Sequence, residues 1–167
     1  VAVDVTDVAA TEDGAAVAGN FDADDVDDDD TPASLAYAIS VAPSEGAAST
    51  DGTQTFSFDP GSDFQDLPAA ATRDVTFQYT ATDSHDAESA PATVTVTVTG
   101  ANDAPTANDD DLNAVNTGVT VQLDVLANDT DPDVPDPLSV VELSNTSSIE
   151  GTVEIAADGL TVEYTPP

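Results

Sequence analysis

The feature that most constrains this chain is the uninterrupted alternation T-V-T-V-T-V-T over residues 93–99. Successive side chains of an extended strand point in opposite directions, so this pattern sends the valines to one face and the threonines to the other. β-branched residues also fit the pleated surface of a sheet. The segment therefore predicts a strand with one face in a core and the other in water.

Alternation of apolar with small or polar residues recurs along the chain and predicts further strands. Clusters of Asp, Gly, Pro, Ser and Asn separate these segments and are typical of turns. No segment has a convincing helical period. The sequence therefore predicts an all-β protein with many short strands, arranged as a sandwich or a barrel. The further predicted strands lie at 35–41, 56–58, 75–82, 119–125, 153–155 and 160–164.

The charge of the chain excludes two classes of partner. Its 167 residues include 34 acidic residues and a single basic one, Arg73, for a formal net charge of -33. Nucleic acids and anionic lipid surfaces are bound through clustered Lys and Arg, so neither is expected as a partner. No apolar run approaches the roughly 20 residues that cross a bilayer, so no membrane insertion is expected. Cysteine is absent, which excludes disulfides and thiolate metal sites.

The chain also repeats itself at an offset of about 105 residues, a period that suits one β-sandwich per repeat. The D-x-D-x-D pattern of residues 25–29 recurs at 129–133, and Asp-Gly before a strand occurs at 51–52 and 158–159. We therefore expect one repeat over residues 1–103. A second, incomplete repeat is expected over residues 104–167.

The incomplete second repeat lacks counterparts of about residues 61–105, and two explanations are open. The preferred one is that the chain is a segment of a longer array whose continuation supplies the missing strands. The other is that a neighbouring subunit donates a strand, for which the alternating residues 1–5 would be the free donor. Donation of one strand would still leave the repeat short.

Two sets of segments carry a family resemblance. The segments F-D-P-G-S-D-F at 58–64, V-T-F-Q-Y-T-A-T-D at 75–83 and P-A-T-V-T-V-T-V-T-G-A-N-D-A-P at 91–105 closely resemble the VCBS repeat of large bacterial surface adhesins. The segments L-A-N-D-T-D-P-D at 126–133 and D-G-L-T-V-E-Y-T-P at 158–166 resemble the cadherin-like tandem repeats of the same proteins. The resemblance implies tandem Ig-like or cadherin-like β-sandwiches in an extracellular, cell-surface protein.

Acidic residues are concentrated in two stretches, with Asp at most positions of 22–30 and at alternate positions of 129–133. Carboxylates packed this closely repel one another unless water, salt or bound cations screen them. Calcium binds six to eight oxygen ligands in irregular geometry, so Asp-rich turns suit it. The residues alone leave two interpretations open, a solvated salt-tolerant surface and specific Ca²⁺ sites.

The family resemblance favours calcium, because cadherin-type repeats hold Ca²⁺ between consecutive domains. It implies ligands from an N-D linker, from a D-x-D loop and from an acid that ends a late strand. At the matching positions of this sequence stand Asn102 and Asp103 in the linker, Asp27 and Asp29 in the first loop, Asp129, Asp131 and Asp133 in the second loop, and Asp83 after the late strand.

This sequence departs from the cadherin pattern at two points. The second repeat ends before the position of its late-strand acid, so we expect the ligand set at the junction to be incomplete. The L-D-R-E motif that precedes the sixth strand of cadherins is missing, since Leu67 is followed by Pro68. Asp63, Asp66 and Glu12 are open candidates for the ligand that this motif would supply.

No enzyme is expected. The chain has one His, His85, within the segment Ser84-His85-Asp86, which contains the residue types of a hydrolase triad. Consecutive residues of a turn rarely converge, and a triad is recognised by its geometry.

The expected function is structural: calcium-stiffened extender repeats of an extracellular adhesin or filament, in contact with calcium ions and with neighbouring repeats or identical subunits. The alternative is a carbohydrate- or ligand-binding module of a secreted protein. Exposed aromatic side chains would favour that alternative, whereas inward-facing Phe and Tyr would favour the spacer.

Overall fold

The computed structural model describes residues 1–26, 30–111, 117–144 and 150–167. It divides the chain into two compact units, Val1–Asn102 and Asp103–Pro167. The described residues form strands and loops without a helix, and therefore without a helix that could span a membrane. The predicted all-β fold class is confirmed.

The described residues of unit 1 form nine strands in two main sheets and a short ribbon. The order in the first sheet is β2-β9-β8-β5, with β2 parallel to β9 and the other pairs antiparallel. The second sheet has the order β3-β7-β6, and β1 pairs with β4. The strands are β1 (Ala2–Val3), β2 (Val5–Thr11), β3 (Val17–Asn20), β4 (Asp22–Ala23), β5 (Ala36–Val41), β6 (Ala47–Thr50), β7 (Thr55–Asp59), β8 (Thr72–Thr82) and β9 (Ala92–Thr99).

The core of unit 1 lies between the two main sheets. The valines of β9 are completely buried and its threonines half-buried, as the alternation predicts. The Phe21 ring lies centrally, with its centroid 4.4 Å from that of Tyr79 and 5.0 Å from that of Phe56. Gly19 leaves room for this packing, because a Cβ there would lie 2.2 Å from Phe56 Cζ. The aromatic residues of both sheets therefore form one cluster.

The Tyr79 hydroxyl connects this core to the ribbon. It lies within hydrogen-bonding distance of the carbonyl oxygens of Val3 and Asp22, to either of which it can donate, and it accepts a hydrogen bond from the Asp22 amide at 3.1 Å. Burial raises the pKa of the Tyr79 hydroxyl, so this group stays protonated and remains a donor. One side chain of β8 thus holds both β1 and β4.

Unit 2 contains one antiparallel sheet in the order β10-β12-β11. Its strands are β10 (Val121–Leu123), β11 (Thr152–Ile155) and β12 (Val162–Thr165). The register places Val121 and Val153 beside Tyr164, and Leu123 and Ile155 beside Val162, so one face of the sheet is apolar.

Two expectations about the strands are wrong. Residues 1–5 are no free donor strand, because β1 pairs with β4 and β2 pairs with β9 within unit 1. Strand β10 is also shorter than the predicted segment 119–125. The alternation rule missed β2 because a bulge between Val5 and Val8 places two residues where the period requires one.

Replacing Tyr79 with Phe should destabilise the protein by about 1–3 kcal/mol, because the partly buried hydrogen bonds of its hydroxyl with the backbone of Val3 and Asp22 are lost. Chemical denaturation would measure this loss, and hydrogen exchange should become faster at the Asp22 amide.

The matched control is Tyr37→Phe, because the Tyr37 hydroxyl donates only to the Pro32 carbonyl, at 2.9 Å. This variant should lose about 1 kcal/mol and leave exchange at Asp22 unchanged. Equal effects of the two substitutions would contradict the role assigned to Tyr79.

Candidate metal centre

The strongest candidate ligand in unit 2 is Asp133, whose side chain is only 2% exposed. Its Oδ2 accepts a hydrogen bond from the Asp103 amide at 2.8 Å, and its own amide donates to Oδ1 of Asp131 at 2.9 Å. Its other oxygen, Oδ1, is buried and has no hydrogen-bond partner among the described residues. A buried carboxylate oxygen without a partner is costly, so this atom points to a ligand with positive charge.

The neighbouring carboxylate of Asp103 is a second reason to expect a positive charge near Asp133. A carboxylate oxygen of Asp103 lies within 4.8 Å of one of Asp133. Two negative charges at this separation repel each other unless a cation lies near them. The sequence holds no Lys, and its one Arg, Arg73, pairs with Glu45 and Asp66 in unit 1. The all-oxygen donor set is the kind that Ca²⁺, Mg²⁺ and Mn²⁺ prefer, and its irregular loop geometry suits Ca²⁺ best.

Asp129, the first acid of this loop, is hydrogen-bonded to another segment of unit 2. Its Oδ1 accepts a hydrogen bond from the Asn108 amide at 2.7 Å. The Asn108 side chain donates to the Asn128 carbonyl, and the Asn128 side chain donates to the Asp109 carbonyl. These hydrogen bonds join residues 108–109 to residues 128–129, so Oδ1 of Asp129 stabilises the fold of unit 2. Of the predicted ligands in unit 2, the structure brings together Asp103, Asp131 and Asp133.

The predicted ligands of unit 1 lie in two places. Asp27 and Asp29 lie outside the described residues. Asp83 follows β8, and its Oδ1 accepts hydrogen bonds from the amides of His85 and Ala87, each at 2.8 Å. This oxygen therefore stabilises the turn that Asp83 begins. Asn102, the last residue of unit 1, is exposed.

The turn that contains His85 lacks the geometry of a hydrolase triad. Ser84 Oγ donates to Oδ2 of Asp30 at 2.8 Å and also lies 3.2 Å from Nδ1 of His85. In a triad the carboxylate orients the imidazole, whereas here it binds the serine. The hydrogen bonds from Ser84 lower the pKa of Asp30 and keep it ionised.

Contacts inside unit 1 distinguish the three acids that could replace the missing motif. Asp63 accepts a hydrogen bond from the Gly46 amide at 2.7 Å. Asp66 forms a bidentate ion pair with Arg73, and the hydrogen bonds from Arg73 lower the pKa of Asp66. Glu12 is completely buried, and its Oε1 accepts a hydrogen bond from the amide of Ala101 at 3.0 Å. Glu12 is thus the one of the three that contacts the segment leading to Asn102.

Comparison with protein families gives two matches. The model of the bacterial cadherin-like domain matches residues 1–100, and that of the bacterial Ig domain matches residues 102–167. No curated protein matches the chain. The two families together cover nearly its whole length.

Solved structures similar to this chain include two cadherin proteins. The protocadherin gammaB7 EC3-6 cis-dimer structure aligns with a TM-score of 0.53 at 15% identity, over 98% of this chain and 38% of that one. The human desmocollin-1 ectodomain aligns with a TM-score of 0.46 at 13% identity, over 98% of this chain and 32% of that one. This chain therefore spans less than two-fifths of either, and the first likeness shows the fold.

Replacing Asp133 with Asn should not lower, and should even raise, the melting temperature in the presence of a chelator. The substitution removes a buried charge, and the new amide would face the nearby carboxylate of Asp103. In calcium the same variant should melt below the wild type, because a charged ligand is lost.

The control is Asp124→Asn at the exposed end of β10, which should change neither melting temperature appreciably. A large loss of stability of the Asp133 variant in chelator would show that the Asp133 charge is balanced within the protein.

Proposed function

The chain belongs to the bacterial cadherin-like domain family, and from this premise we propose that it is a calcium-stiffened spacer of an extracellular adhesin or surface filament. Its repeats would hold more distal modules away from the cell. The observation that carries the calcium part of this proposal is the buried Oδ1 of Asp133, which has no hydrogen-bond partner among the described residues.

The proposed ligands of the linker site are Asn102, Asp103, Asp129, Asp131 and Asp133. Bound calcium would supply the positive charge that these carboxylates otherwise lack. The Asp103 amide and the Asp131 side chain orient Asp133 through its Oδ2 and its amide, which leaves Oδ1 for a ligand. We further propose Glu12 as the acid that replaces the missing motif, because of its contact with Ala101.

A second site is proposed at the start of unit 1. The family resemblance assigns it to Asp27, Asp29 and Asp83. The two amides that bind Oδ1 of Asp83 hold its carboxylate in a fixed orientation, as a ligand position requires. A preceding repeat would provide the remaining ligands.

The same resemblance leads us to assign residues 1–103 to the VCBS type of repeat. The F-D-P-G segment has a clear physical role in this assignment. Phe58 and Phe64 are completely buried, and Oδ1 of Asp59 accepts a hydrogen bond from the Gly61 amide between them. Gly61 has a φ of 61°, which an L-residue adopts at a cost. The segment therefore returns the chain into the core after β7.

The direction of the aromatic side chains favours a spacer over a carbohydrate-binding module. All five Phe and two of the three Tyr are buried, and the third, Tyr164, is half-buried. Sugar-binding surfaces use exposed aromatic rings, and the described residues offer none. Cadherin-like and Ig domains are typically structural modules, which agrees with a mechanical role.

The mechanism we propose is the loss of bending freedom at the linker. An acidic joint without cations is subject to repulsion between its carboxylates, and many orientations of the repeats are then accessible. Calcium bound by linker and loop ligands would restrict these orientations. The partners expected for such a spacer are neighbouring repeats or identical subunits.

Removing calcium should destabilise and shorten the protein. A ligand that binds only the folded state stabilises it by about 2.7 kcal/mol at a hundredfold excess over its dissociation constant. Adding a chelator at moderate salt should therefore lower the melting temperature and reduce the maximum dimension in small-angle scattering. Magnesium is the control, because it prefers strict octahedral geometry and should restore little of either quantity. If neither quantity responds to calcium, the proposed function is wrong.

Asp103→Ala and Asp131→Ala should each weaken calcium binding at least tenfold in a calorimetric titration, since each removes a charged ligand. Glu12→Gln should weaken it as well, since we propose Glu12 as the acid that replaces the missing motif. Glu154→Ala changes the net charge equally at an exposed position of β11 and should have little effect. Equal losses in all variants would indicate general charge screening instead of a specific site.

A further inference from the structure

Unit 1 carries an open groove of about 770 Å³ between β2 and β3. Residues 4–9, residues 17–22 and Gln54 line it. Its lining includes the partly buried side chains of Val5, Val8 and Val17, which pack against the core. None of the described residues that we assign to calcium is among those that line this groove.

Two strand edges face this groove without a strand partner among the described residues. β2 pairs with β9 and ends the first sheet, whereas β3 pairs with β7 and ends the second sheet. The outer edge of an end strand presents backbone N–H and C=O groups that can pair with a further strand. The groove therefore combines apolar side chains with backbone donors and acceptors that can pair with a further strand.

Strand β3 is the better template of the two. The bulge between Val5 and Val8 interrupts the hydrogen-bonding pattern of β2, and bulges protect edges from pairing. The pairing of β3 with β7 is regular throughout, and the Phe21 amide donates to the Gln54 carbonyl at 2.7 Å. Along a strand, the N–H and C=O groups of successive residues point alternately to its two edges. Since those of Phe21 point towards β7, those of Ala18 and Asn20 point to the free edge.

The charge of the rim specifies the partner. Asp4, Asp7 and Asp22 line the groove, and all three are exposed. The single Arg of this chain is Arg73, which is paired with Glu45 and Asp66, so neither this chain nor a second copy supplies free cations. A second copy, with the same net charge of -33, would be repelled.

We propose that the free edge of β3 binds an extended segment of another protein, in which apolar side chains alternate with Lys or Arg. The segment adds to β3 as a strand through the backbone of Ala18 and Asn20. Its apolar side chains contact Val8 and Val17, and its cations lie beside Asp7. The spacer is thereby also a docking site, and repetition along an array multiplies a weak individual contact.

The test uses the full chain in calcium at about 0.15 M salt and a seven-residue peptide of alternating Lys and Val, with blocked ends. Nuclear magnetic resonance titration should shift the amide signals of Ala18 and Asn20 and slow their hydrogen exchange. The same peptide with N-methyl groups on alternate residues keeps its charge but loses the backbone N–H groups that would donate to β3. Its affinity should fall at least tenfold. Undiminished affinity of the methylated peptide would overturn the proposal.

Matched protein variants separate the groove from the general acidic surface. Asp7→Asn should weaken peptide binding severalfold, because Asp7 lies at the rim. Asp74→Asn removes the same charge from an exposed position of β8 and should leave binding unchanged. Equal losses in both variants, or signal shifts spread evenly over the acidic surface, would show nonspecific charge attraction and refute the docking site.

Discussion

The fold of unit 1 depends on the hydrophobic packing of β8 and β9, the central strands of one sheet, against β7, the central strand of the other. β9 is the strand to which β2 and β8 both attach, and its valines lie against the aromatic cluster. The position at which the chain leaves the core of unit 1 also depends on β9. Thr99 ends β9 and accepts a hydrogen bond from the Glu12 amide, and Gly100 donates to the Ala71 carbonyl. A Cβ on Gly100 would lie 2.1 Å from the Leu67 carbonyl oxygen, so the chain leaves the core through a position that only glycine fits.

Electrostatic repulsion is the force that this packing must overcome. A net charge of -33 disfavours the compact state, and its effect is strongest where carboxylates are desolvated. The chain limits this cost within unit 1 through hydrogen bonds from hydroxyl groups. Ser84 and Ser34 donate to Asp30, and Thr53 donates to Asp51. At Asp133 such compensation is incomplete among the described residues, and this is the observation from which we propose a cation there.

The sequence predicted those strands whose alternation is unbroken. The residues of β8 and β9 read as regular patterns, and the structure buries Val75, Phe77 and Tyr79 on one face. It did not predict β3, β4 or β6, which are two to four residues long and rich in Ala, Gly and Ser. Such segments have no periodicity of their own. They become strands because a partner at a distance in the sequence provides their hydrogen bonds, as β7 does for β3 and β6.

By itself, the sequence determined the fold class, the acidic surface and the set of residues from which a calcium site could be drawn, because these follow from local pattern and composition. Only the tertiary structure decided which acids of that set come together. Asp103 meets Asp133 across 30 residues, and Glu12 meets Ala101 across 89. Asp129 has the same spacing pattern as Asp131 and Asp133, yet it binds the Asn108 amide. Spacing along a chain fixes neither long-range contacts nor the burial of a single oxygen atom, since both depend on how distant segments pack.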